Sequence, residues 1–153
     1  MKKINWKFLI IAFIIVHLAA IFGSLFTNTG DWYESVKPSI TPPGYVFPIV
    51  WTILFILISI SFYFVLISKK GKLRNRAIIF FIINIILNGL WSYLFFELHN
   101  PVFAFFELVL LWVSILFMIY FSFKLNKISS YLLVPYLLWV SFAGILNYLI
   151  AFA

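Results

Sequence analysis

The chain has 153 residues, is 65% hydrophobic and only 10% charged, and its mean hydropathy is +1.14. That composition excludes an ordinary soluble domain and points to a protein that lives in lipid. The absence of cysteine excludes disulfides, thiolate metal sites, iron–sulfur clusters and cysteine nucleophiles.

Five apolar runs are long enough to cross a hydrocarbon core, which takes about 20 helical residues. They are residues 8–26, 44–67, 77–98, 101–123 and 131–152. The runs are continuous and do not alternate at the strand period, which argues against a β-barrel. The expected fold is all-α: a single transmembrane domain over residues 1–153, with five helices running antiparallel to their neighbours.

The first run follows a charged MKK opening, and His17-Leu18-Ala19-Ala20 offers the small residues of a signal-peptide cleavage site. It continues to Phe26, however, and Ala19 with Gly23 forms a small-xxx-small pair suited to close helix packing in lipid. It reads as a retained helix.

The stretch after it, residues 31–51, changes character. It reads DWYESVKPSITPPGYVFPIVW and contains Pro38, Pro42, Pro43 and Pro48. Each proline fixes its own φ and pushes the preceding residue toward extended geometry, so KPSITPP cannot be helical. A rigid linker carrying Trp32, Tyr33, Tyr45, Phe47 and Trp51 reads as part of a site. Residues 27–43 are expected to form a lid.

In the third run, Asn84, Asn88 and Trp91 span an arc of about 60° at 100° per residue, so they share one helix face. In the fifth, Trp139, Ala143 and Asn147 drift by about 80°. Amides in hydrocarbon must face protein or a cavity. Interhelical hydrogen bonding and cavity lining are both open for Asn84, Asn88 and Asn147. Trp6 and Trp32 suit interfacial belts, but Trp91, Trp112 and Trp139 lie too deep for that. Trp112 reads as packing, whereas Trp51, Trp91 and Trp139 read as walls of a pocket for a flat aromatic ligand. Glu97 reaches the interface. Glu107, two turns into the fourth run, either accepts from Tyr33 or an amide or carries a proton.

The net charge of +7 suggests nucleic acid until the charges are placed. Lys2, Lys3 and Lys7 precede the first run, Lys69, Lys70, Lys72, Arg74 and Arg76 fill the second link, and Lys124 and Lys127 fill the fourth. Lys37 alone lies on the other side. The positive-inside rule then puts the N-terminus in the cytoplasm and the C-terminus outside a cell membrane. Attraction to anionic lipid accounts for the charge, and no nucleic-acid partner is expected. His17 is the only histidine within a span: it is either an axial haem ligand or a packing residue, and packing is the preferred reading. Two histidines and one aspartate assemble no conventional catalytic set, and no protein-held metal is expected.

Several motifs agree in order and spacing: Trp32-Tyr33, Lys37-Pro38, Pro42-Pro43, Trp51, Asn88, Trp91, Phe95-Phe96, Pro135-Tyr136, Trp139, Ala143 and Asn147-Tyr148. In these the chain resembles the translocator protein family, also called the peripheral-type benzodiazepine receptor or tryptophan-rich sensory protein family, in its bacterial form. The resemblance implies a five-helix membrane bundle, a homodimer, that binds porphyrins (protoporphyrin, haem) and synthetic aromatics such as isoquinoline carboxamides or benzodiazepines. It implies a pocket under the first link formed by Tyr33, Pro42, Trp51, Phe55, Asn88, Trp91, Trp139, Ala143, Leu146 and Asn147. It also implies light-dependent oxidative breakdown of protoporphyrin with Trp51 and Trp139 as the reactive pair, and no required cofactor. Two departures stand out. The Tyr33-to-Lys37 spacing is one residue shorter than the family pattern. Tyr148 is followed by LIAFA with no basic residue, so sterol binding is not expected. Transport of tetrapyrroles, or sensing through a partner protein, remain the alternative functions.

Overall fold

The computed structural model describes residues 4–153; Lys2 and Lys3 lie outside it. Seven α-helices occur among the described residues: α1 (Trp6–Phe26), α2 (Asp31–Val36), α3 (Val46–Leu66), α4 (Lys72–Ser92), α5 (Pro101–Leu125), α6 (Lys127–Tyr131) and α7 (Val134–Phe152). The five spans long and apolar enough to cross a membrane are α1, α3, α4 with its extension, α5, and α6 with α7. The chain is a multi-pass membrane bundle.

The helix ends follow local chemistry. Asn5 caps α1 and Asn100 caps α5, each accepting a backbone N–H from inside the first turn. Pro101 and Pro135 sit in the first turns of α5 and α7, where a missing N–H costs nothing. Pro48 occupies the equivalent turn of α3. The apolar face of α1 points outward: Ile10, Ile14, Leu18, Ile21 and Leu25 are all more than half exposed. Its small face, Ala12, Val16, Ala19 and Gly23, is buried. Lipid solvates large side chains as well as a protein core does, so the interior goes to residues that let helices approach closely.

The long helices form a ring in the order α1, α4, α5, α7, α3. The α4–α5 and α5–α7 seams are extensive, while α3 and α7 meet sparsely. Asn5 N donates to Tyr63 Oη at 3.1 Å, joining the start of α1 to the end of α3. At the same end, Ser61 and Ser129 each donate a hydroxyl to the other's carbonyl at 2.8 Å, clasping α3 to α6. This end carries the basic links, and α2 covers the opposite end.

The structure departs from the sequence expectations at three places. Residues 27–43 are not all irregular, because Asp31–Val36 forms α2. Asn28 Oδ1 accepts from Gly30 N at 2.9 Å, and Glu34 N reaches Gly30 O at 3.1 Å, which starts the helix. Proline chemistry holds for the rest, which folds as two turns closed by Thr41 N to Pro38 O and Val46 N to Pro43 O. The third span begins at Lys72 and not at 77, since Lys72, Arg74 and Arg76 extend the helix while reaching for the surface. The last span begins at Lys127 and not at 131, as the short α6, which breaks before α7 starts at Val134, with Asn126 capping α6 at Ile128 N and Ser129 N.

The α1–α4 approach is a direct test of the packing. A Cβ on Gly23 would lie 3.4 Å from Ser92 Oγ and 3.9 Å from Gly89 Cα, ordinary contact distances. Gly23→Ala is expected to be neutral or to stabilise by up to about 1 kcal/mol through helix propensity. Gly23→Leu is expected to cost about 1–3 kcal/mol by forcing the helices apart. Thermal unfolding in detergent checks both.

Candidate ligand cavity

The cavity is built from the α2 end of the bundle. After Ser92, α4 widens into one turn of π-helix, Tyr93–Glu97, seen in the Leu98 N to Tyr93 O bond at 3.0 Å. A π-turn adds a residue to the helical turn and shifts the register of the residues beyond it. It buries Phe95 and Phe96, and these rings receive α2. Tyr33 packs against both, with centroids 6.3 and 5.6 Å away, and Trp32 meets Phe95 at 5.5 Å. His99, held at φ 47 in the left-handed region, stacks on Trp32 at 4.3 Å. Trp32 is therefore an anchor for the lid as well as an interfacial residue.

Beneath the lid lies a cavity of about 760 Å³, within the range of roughly 300–1,000 Å³ typical of small-molecule sites. All ten side chains marked by the family resemblance line it: Tyr33, Pro42, Trp51, Phe55, Asn88, Trp91, Trp139, Ala143, Leu146 and Asn147. Trp51 stacks on Phe55 at 5.2 Å and meets Tyr136 edge-on at 6.2 Å. Trp139 meets Phe47 edge-on at 5.7 Å, and Trp91 stacks on Phe95 at 4.9 Å.

Two polar chains support the wall. In the first, Asn88 Nδ2 donates to Tyr136 Oη (3.1 Å), Tyr136 donates to Asn84 Oδ1 (3.2 Å), and Asn84 Nδ2 donates to Ser114 Oγ (2.8 Å). Ser114 then donates to the Leu111 carbonyl. In the second, Trp91 Nε1 donates to Asn147 Oδ1 (3.0 Å), whose Nδ2 donates to the Pro101 carbonyl (2.8 Å). Asn84 is thus buried glue, whereas Asn88 and Asn147 both bond across helices and line the cavity. Trp112 is a packing residue whose Nε1 donates to Ser141 Oγ at 2.8 Å.

At the mouth, Lys37 is paired with Glu34, and both border the cavity. The short Tyr33-to-Lys37 spacing is one helical turn, closed by Lys37 N to Tyr33 O at 2.9 Å. Burial, and then the neighbouring Glu34 carboxylate, push the Tyr33 phenol above its ordinary pKa. Glu107 does not meet Tyr33 or an amide. It is buried with neither carboxyl oxygen partnered among the described residues, and it lies outside the cavity lining. The structure adds residues to the lining that sequence reasoning did not assign to the pocket. Phe47, from the linker read as part of a site, Phe95 and Phe96, from the family motif, and His17, the mid-span histidine of α1, all join it.

Fold and cavity define a five-helix membrane protein with a covered, aromatic-walled internal site. A sequence model of the TspO/MBR family matches residues 11–153, and the chain belongs to that family. The tryptophan-rich protein TspO of Chlorobaculum tepidum is 42% identical over 133 residues, covering 84% of each chain. Protein CrtK of Rhodobacter capsulatus is 36% identical, covering 89% of this chain and 86% of its own. The tryptophan-rich protein TspO of Bacillus cereus is 34% identical, covering 98% and 96%.

Tyr136 is the centre of the first polar chain, so Tyr136→Phe strands the Asn88 amide and removes a donor from Asn84. Loss of about 1–2 kcal/mol is expected, read as a lower thermal unfolding midpoint in detergent. The ring and the cavity shape are retained.

Proposed function

We propose that this chain binds porphyrins and other flat aromatic molecules, such as isoquinoline carboxamides or benzodiazepines, in the cavity beneath α2. The observation that carries this reading is the wall chemistry. Three indoles (Trp51, Trp91, Trp139) and four phenyl rings (Phe47, Phe55, Phe95, Phe96) line it, with the small Ala143 leaving room between them. Such walls favour a wide, polarisable, apolar body. A porphyrin also carries two carboxylates, and Lys37 is the cation at the mouth to receive them, released from Glu34 as it does so. The basic links favour a cell-membrane orientation with the N-terminus cytoplasmic and the C-terminus outside, so that the lid faces outward. The family resemblance supports a homodimer.

Saturable binding of protoporphyrin is expected from a titration followed by Soret absorbance in the dark. Ala143→Trp fills the space between the walls and is expected to weaken binding at least tenfold with an unchanged unfolding midpoint. Equal affinity in this variant places the ligand elsewhere and removes the reading.

Light adds a second expectation. An excited porphyrin with dioxygen as oxidant generates oxidising species beside Trp51 and Trp139, and indole is the most oxidisable side chain in a cysteine-free protein. Replacing both with Phe is expected to slow porphyrin bleaching under illumination while leaving dark binding in place. Bleaching at the wild-type rate takes these residues out of the chemistry. Sensing through a partner is the second reading, favoured by the name of a 29% identical relative from Cereibacter sphaeroides, tryptophan-rich sensory protein.

A further inference from the structure

His17 is the only histidine among the described residues that lines the cavity. Its ring lies nearly parallel to Phe13, at 5.5 Å and 12°, and tilted against Phe55 at 6.3 Å. Through Phe55 it joins the aromatic wall that continues to Trp51. His17 Nδ1 sits 3.0 Å from the Phe13 carbonyl oxygen, one turn earlier on α1. A carbonyl oxygen has no proton to give, so Nδ1 is the donor and the neutral ring keeps its lone pair on Nε2. Nε2 makes no hydrogen bond among the described residues.

A metal-binding histidine can use this arrangement. The N–H anchored on a backbone carbonyl fixes tautomer and ring orientation and leaves the opposite nitrogen free to coordinate. Satisfying a polar ring in the membrane explains the Nδ1 bond and leaves Nε2 without a partner among the described residues, on a side chain that lines the cavity. A free cation needs three or four protein ligands. No group of three or more His, Cys, Asp or Glu suited to hold one occurs among the described residues. A lone imidazole therefore suits a metal that arrives with its equatorial positions already filled. A metalloporphyrin is such a species, because four pyrrole nitrogens hold the iron and leave its axial positions open to a histidine.

We infer that His17 Nε2 is an axial ligand for metal-bearing porphyrins, so that the cavity distinguishes haem from the metal-free macrocycle. The inference rests on the porphyrin reading above and specifies the ligand class further. No second histidine and no methionine lines the cavity among the described residues, so the iron is expected to be five-coordinate.

The test titrates the full-length protein in lipid nanodiscs with haem and, separately, with free-base protoporphyrin. Three proteins are compared: wild type, His17→Phe, and His17→Ala with and without added imidazole. Wild type is expected to show an iron–histidine stretching band by resonance Raman in the ferrous state. His17→Phe keeps a flat ring but has no lone pair. It is expected to lose the band and at least tenfold in haem affinity, with free-base affinity changed less than twofold. Imidazole is expected to restore the band in His17→Ala. Persistence of the band in His17→Phe overturns the inference, as does a parallel fall in both affinities. Wild type that binds free base but shows no iron–histidine band overturns it while leaving the porphyrin reading intact. Wild type that binds neither porphyrin overturns both.

Discussion

An amide or indole N–H buried in hydrocarbon has no water to bond, so Asn84, Asn88, Trp91, Trp112 and Asn147 each find a partner on another helix. That constraint organises the structure. The chain from Asn88 through Tyr136 and Asn84 to Ser114 crosses from α4 to α7, back to α4 and on to α5. The pair Trp91–Asn147, ending on the Pro101 carbonyl, joins the same three helices nearer the lid. Both chains are satisfied link by link, which makes α4, α5 and α7 one polar-stitched unit. The cavity lies where that unit faces α1 and α3.

The other side is held differently. α1 meets α4 through Gly23 and Gly89, and α3 is clasped at the basic end by Ser61 and Ser129. Nearer the lid, α3 meets α7 through rings such as Trp51–Tyr136 and Phe47–Trp139. The lid itself rests on aromatic faces that the π-turn of Tyr93–Glu97 aims inward. Hydrogen bonds thus fix one half of the cavity, while close packing and ring contacts shape the other. Indoles suit this division, because Trp91 spends its N–H on Asn147 and still presents a face to the cavity.

Much of this is legible in the sequence, and the parts that are not have physical reasons. Continuous apolar runs reveal the spans, since hydrocarbon thickness sets their length. The helical period puts Asn84, Asn88 and Trp91 on one face. It does not name Ser114, Tyr136 and Asn147 as their partners, because pairing across helices leaves no mark along the chain. α2 is hidden because its six residues stand between a glycine and a proline-rich stretch that masks a single turn. The π-turn is hidden because one added residue in a turn has no compositional signature. Hydropathy misplaces the start of α4 because Lys72, Arg74 and Arg76 lower it without ending a helix. For His17, spacing argues against a metal cluster, but only the structure shows the Nδ1 bond and the open cavity beside it.

The central claim is that a flat tetrapyrrole occupies the space walled by Trp51, Trp91 and Trp139. Of the six tryptophans, Trp6, Trp32 and Trp112 do not line the cavity. Tryptophan fluorescence titrated with micromolar protoporphyrin in the dark therefore reads the claim directly. Saturable quenching is expected that survives Phe replacement of Trp6 and Trp112 and largely disappears when the three wall indoles are replaced. Quenching that does not saturate, or that persists without the wall indoles, would contradict it.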